Sequence, residues 1–246
     1  MAADERRDFS DARFDGMDFS HARLHAPNFE GATISDAWLL NADVSGGIEG
    51  LRINGVEVAP LVEAELDRRS PDRAKLRATD PAGIAEAWAI IEEVWRTTVE
   101  RARALPEPAL HERVDGEWSF VETLRHLIMA TDKWLSHMVL QIARPYHPLG
   151  LAGSFLEDPE SLGLDAAADP SLDEVLAVRR GRMDAVAETI GGLTPHELER
   201  RCDPPAGLGH PTETCSVLTC LQVILREEWE HAQYANRDLA ILEAAT

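Results

Sequence analysis

Glu227 and His231 stand four residues apart in REEWEHAQYANRDLAIL, the stretch from Arg226 to Leu242. On a helix, residues at that spacing lie one above the other. A carboxylate oxygen and an imidazole nitrogen could therefore reach one metal ion from successive turns. Glu228 with His231, at i and i+3, is an alternative pair that spacing alone does not separate from the first. At ~100° per residue, Val217, Leu221, Ile224, Leu225, Ala232, Ala235, Leu239 and Leu242 share one apolar arc. Glu228 falls within that arc, and Glu227, His231 and Asp238 fall along one edge of it. A carboxylate there has to be paired, protonated or metal-bound, because an isolated buried charge costs several kcal/mol. A metal would need a further ligand from another element, and His126, inside the pattern ETLRHL, is the first candidate. The same residues also suit a commoner arrangement, a hydrogen-bonded histidine beside a surface Glu–His pair.

The elements that must position these residues read as helices. From Pro81 to Arg103 the apolar positions Ile84, Trp88, Ile91, Val94, Trp95 and Val99 keep helical spacing, and PEPAL ends the run. Ser119 with Glu122 has capping-box spacing and predicts a second helix to about Ala143; Ser171 with Glu174 predicts a third to about Ile190. Thr194 and Glu197 open a shorter one, and Ser216 caps the last, which runs to about Glu243. Four long amphipathic helices without strand patterns predict a four-helix bundle over residues 81–246. The connection from Arg144 to Pro170 is long enough to travel the length of that bundle, and RPYHPLG within it is a natural wall for a ligand pocket.

The front of the chain has a different rhythm. Phe9, Phe14, Phe19, Leu24, Phe29, Ile34, Leu39 and Val44 recur every five residues, with Ala12, Ala22, Ala32, Ala37 and Ala42 two positions before five of them. Five matches neither a helix nor a strand, so it points to a repeat in which units stack. With ARFDG, ARLHA and ADVSG, residues 1–47 resemble the pentapeptide-repeat family. That resemblance implies a short right-handed β-helix of about two coils, on the order of 10 Å tall at the spacing of stacked strands. So short a column reads as a protein-docking cap rather than a mimic of duplex DNA. Residues 48–80 read as a hairpin, from Asn54-Gly55 between apolar residues, and a charged linker.

Composition excludes several classes. The 246 residues carry a net charge of −20, which argues against binding a phosphate backbone. Eighteen apolar residues never run together, and the first residues have no signal-peptide core, so the expectation is a cytoplasmic protein without membrane contact. Cys202, Cys215 and Cys220 form no C-x-x-C pair and read as buried spectators. Lys75 and Lys133 are the only lysines among 24 basic residues, a bias associated with high-GC bacterial genomes.

GEWSFVETLRHLIMATDKWL, followed about a hundred residues later by EEWEHAQYANRDLAIL, resembles the DinB-like superfamily across residues 81–246. The resemblance implies a four-helix bundle that holds a divalent metal through His126 of the second helix and the pair Glu227 and His231 of the last. Glu at the first position of that pair is similar to the mycothiol-dependent maleylpyruvate isomerases. Imidazole and carboxylate donors suit Zn²⁺ first, with Ni²⁺ or Fe²⁺ as alternatives. The implied activity is a metal-dependent thiol transferase or isomerase, in which a metal-bound low-molecular-weight thiol such as mycothiol attacks a small electrophile. The alternative is a non-catalytic metal- or ligand-binding, stress-associated protein. The expected partners are the small thiol and the electrophile, with self-association left open; catalytic side chains are not assigned.

Overall fold

The computed structural model describes residues 8–24, 27–153, 156, 158–204, 211 and 213–245. The chain divides into two compact units, Met1–Gly47 and Ile48–Thr246.

In the first unit the five-residue period is written into the backbone. Asp11, Gly16, His21, Gly31, Asp36, Asn41 and Gly46 all have positive φ, each a multiple of five from the next. Glycine tolerates that region without cost, and Asp and Asn tolerate it better than most residues. Tight turns recur, with Ala12, Ala22, Ala32 and Ala42 donating to the carbonyls of Phe9, Phe19, Phe29 and Leu39. The expected β-helix, however, is not shown: among the described residues of this unit there is no strand. The physical difference lies in the apolar set. A β-helix would point those side chains into a closed column, whereas Phe9, Phe14, Phe19, Leu24, Phe29, Ile34, Leu39 and Val44 are each more than half exposed.

The second unit is mainly helical. It opens with a hairpin of β1 (Arg52–Ile53) and β2 (Val56–Glu57), in which Ile53 faces Val56. Asn54 and Gly55 have φ of 50° and 80°, the two positive values that a type I′ turn requires. Helices α1 (Ala59–Arg69) and α2 (Pro71–Lys75) follow, tied together where Arg73 lies 2.7 Å from Glu63 and 2.9 Å from Asp67.

Four long helices then form the core. In α3 (Pro81–Ala102), Asp80 caps the first turn by accepting from the Gly83 amide at 3.0 Å, with Pro81 at the first helical position. α4 (Phe120–Thr131) and α5 (Leu172–Gly191) each begin with a complete capping box, Ser119 with Glu122 and Ser171 with Glu174. A short α6 (Pro195–Glu199) is capped by Thr194. A two-stranded sheet of β3 (Arg201–Cys202) and β4 (Cys215–Ser216) leads into α7 (Val217–Ala245), whose Thr219 amide donates to Ser216 Oγ at 3.1 Å. α3 packs on α5 and α7, and α4 packs on the same two, so the four enclose one core. Ile84, Ile91, Leu124, Ile128, Leu221 and Leu225 lie within it almost fully buried, each contributing about 2 kcal/mol by leaving water.

The second long helix does not run on as a regular α-helix to Ala143. From Asp132 to Val139 it widens into a π-helix, and the Leu140 amide reaches back five residues to the Leu135 carbonyl at 2.9 Å. Asp132 starts this turn fully buried. It accepts from Arg182 Nε at 2.9 Å and from the His147 amide at 2.9 Å. Burial pushes the Asp132 carboxyl up, against the pull of Arg182.

Candidate metal centre

His126 lies in the middle of α4, and its orientation is set from outside that helix. Arg125, itself buried, sends Nε to the Leu149 carbonyl at 2.9 Å, one Nη to Ala168 and the other to Asp165, both at 2.6 Å. This guanidinium gathers the 144–170 connection against α4. The Leu151 amide then donates to the Arg125 carbonyl at 3.1 Å, and the Leu151 carbonyl lies 3.1 Å from His126 Nδ1. A carbonyl only accepts, so Nδ1 carries a proton and Nε2 is the ring nitrogen left to reach an ion.

That nitrogen faces α7. His126 Nε2 is 3.6 Å from Glu227 Oε2, beyond hydrogen-bond length. His231 Nδ1 lies 2.9 Å from the Glu227 carbonyl one turn earlier, so its proton is also assigned and Nε2 is left as the donor atom. One ligand atom each from His126, Glu227 and His231 lies within 4.8 Å of the other two. Tetrahedral ligands at zinc-like bond lengths stand roughly 3.4 Å apart, so the residues present fit an ion with modest closure. Two imidazoles and one carboxylate form the donor set of a transition-metal site rather than a calcium or magnesium site.

The electrostatics favour the ligand forms. Burial pushes the Glu227 carboxyl up, but the pull of His126, His231 and Arg226 more than offsets it, and its pKa lies below the ordinary value. Burial holds the His231 imidazole down, helped by the neighbouring His126, which keeps it neutral. Trp118 roofs the group, with its ring centroid 4.5 Å from that of His126 and 6.2 Å from that of His231. Glu227 and His231 retain partial exposure, so one side of the site remains reachable from solvent.

A family model of the DinB superfamily matches residues 90–235, more than half of the chain. The chain belongs to the DinB superfamily. No curated protein and no solved structure compared with it gave a match. In this DinB member the matched segment contains all three residues of the cluster.

The structure also separates the two glutamates that spacing could not. Glu228 is buried and turned away from the cluster into a two-point pair with Arg179 of α5, Nη1 to Oε1 at 3.0 Å and Nη2 to Oε2. The Arg179 guanidinium in turn lies 4.7 Å from the Trp95 ring centroid. The carboxylate inside the apolar arc is therefore paired. Asp238 is bound by its neighbour Arg237, Nε to Oδ1 at 2.7 Å, a salt bridge near the helix end. Asp238, Trp118 and Thr123 line a cavity of about 10 Å³, room for one water.

Three contributors to the site lay outside the sequence reading: Arg125, the Leu151 carbonyl and Lys133. Lys133 is buried in the π-helix; burial lowers its pKa, and the negative charge of Glu227 works in the opposite direction. A lysine seven residues after His126 offered a signal, since seven residues are two helical turns. Of the histidines without an assignment from sequence, His137 has Nδ1 3.5 Å from the Tyr146 hydroxyl. The backbone amide of His147 donates to Asp132. His210 lies outside the described residues.

Proposed function

We propose that this protein is a metal-dependent thiol transferase or isomerase, with one divalent transition metal, Zn²⁺ first, held by His126, Glu227 and His231. The observation that carries the reading is the convergence of three donor atoms from two helices, at 4.8 Å or less, on a side that solvent can reach. Three protein ligands leave a position for an exogenous group, the arrangement of catalytic rather than structural sites. The ion would supply Lewis acidity, lowering the pKa of a coordinating low-molecular-weight thiol, mycothiol or one like it, so that it attacks a small electrophile as thiolate. The chain's own residues do the rest. The Leu151 carbonyl holds the His126 ring in register, and Trp118 excludes water from one face.

The test begins with metal content. Purified protein should carry near one equivalent of transition metal, and His231→Ala should lose it; full occupancy in that variant would sink the assigned site. Holoprotein is then incubated with mycothiol or another small thiol and a panel of electrophiles. Acceleration that disappears in His126→Ala supports the enzyme; metal bound without acceleration supports a non-catalytic binding protein. A docking role for residues 1–47 draws support from the exposed apolar set there, and deletion of residues 1–46 tests it. A remaining bundle that keeps every interaction and its solubility rules the docking role out.

A further inference from the structure

The three cysteines are scattered in sequence, yet the fold gathers them. In the β3–β4 pair Cys202 stands directly opposite Cys215. β4 runs straight into α7, and Cys220, in the first turns of that helix, points back at the strand it came from. Cys215 Sγ and Cys220 Sγ are 3.4 Å apart, and all three thiols are reduced.

We propose that Cys215 and Cys220 are a modification site, a dithiol that peroxide converts into a reversible intramolecular disulfide binding β4 to the start of α7. The two sulfurs are already in contact, and closing to a bond length of about 2.05 Å brings them little more than 1 Å nearer. Access decides the order of events. Cys202 and Cys220 are buried, whereas Cys215 is only partly so. Burial also pushes the thiols of Cys202 and Cys220 up, keeping both protonated and slow to react with an oxidant.

Peroxide therefore enters at Cys215. Its thiolate attacks one oxygen, the O–O bond breaks, Cys215 becomes a sulfenic acid, and the departing hydroxide leaves as water with the thiol's proton. Cys220 sulfur then attacks Cys215 sulfur, the S–O bond breaks, and the hydroxide that leaves takes the Cys220 proton. Two thiols and one peroxide give one disulfide and two waters. Cys202 keeps its thiol. Cys220 precedes Glu227 by seven residues, ~10 Å along the helix axis, so the reaction consumes none of the three candidate metal ligands.

The full chain is treated with hydrogen peroxide, alkylated under denaturing conditions and mapped by mass spectrometry. Trypsin releases Cys202 to Arg226 as one piece holding all three cysteines, so cleavage after Glu213 and after Leu218 is added to part them. The expected result is loss of two of the three alkylatable thiols, a fragment linking Cys215 to Cys220, and full recovery with dithiothreitol. Cys202→Ala should form the same link and Cys215→Ala should not. Three thiols surviving peroxide, a link through Cys202, or a link between two chains would each overturn the proposal.

Discussion

Removing one partner of the buried ion pair tests the account of why α7 carries a carboxylate inside its apolar arc. In Arg179→Ala, the Glu228 carboxylate, 1% exposed, would lose both of its hydrogen bonds to the guanidinium and keep its charge in a dry site. Stripping one partner from such a pair costs about 3–5 kcal/mol, because the surviving ion cannot be rehydrated. The Trp95 ring would lose the guanidinium 4.7 Å from it as well. A domain of this size shifts by about 2–4 °C per kcal/mol, so the melting temperature should fall by roughly 10 °C. Replacing both members with methionine should recover most of that loss, since an apolar pair of similar volume avoids the desolvation of two charges. Urea denaturation of the wild type, Arg179→Met, Glu228→Met and the double methionine variant, followed by circular dichroism, measures the coupling directly. A loss below 1 kcal/mol in Arg179→Ala, or a double variant no better than the single, would show that Glu228 does not depend on Arg179.

Glu227→Gln should lose bound metal while Glu228→Gln keeps it and loses stability; metal analysis beside denaturation separates the two adjacent positions. Arg125→Met removes the donor that three carbonyls of the 144–170 connection share, and metal affinity should fall about 10- to 100-fold as His126 loses its orientation. Competition with a chelating dye reads that change, and hydrogen exchange should rise at residues 149–151. Ser171→Ala should cost about 1 kcal/mol through the lost cap and leave metal content unchanged. Removing the metal by chelation should lower the unfolding free energy by about 2.7 kcal/mol where free metal had stood at a hundred times its dissociation constant. Calorimetry with and without added Zn²⁺ checks it, and identical curves would speak against binding to the folded chain.

Features of the fold that depend on near neighbours were legible. Ser119 with Glu122, Ser171 with Glu174, and Thr194 announce helix starts because a cap is a contact three residues long. Asn54-Gly55 announces its turn for the same reason. Features that depend on distant partners were not. Glu228 finds Arg179 forty-nine residues away, and no pattern within α7 could say which of two adjacent glutamates would be neutralised that way. Resemblance grouped His126 with Glu227 and His231, and spacing alone left the choice open. The π-helix begins at Asp132, whose partners Arg182 and the His147 amide both come from later segments that no pattern within the helix announces. The five-residue rhythm at the front was visible, but periodicity does not tell which side faces water, and the structure leaves that apolar set exposed.

His126 takes its bearing from the main chain of Leu151, and Arg125 likewise grips only main-chain oxygens. The side chains of Leu149, Leu151, Asp165 and Ala168 are thus not the groups that these bonds use to align the imidazole. Natural drift or directed evolution can swap them to suit a new small molecule while the ring stays aimed. Insertions, deletions and prolines are what such a strap would not forgive.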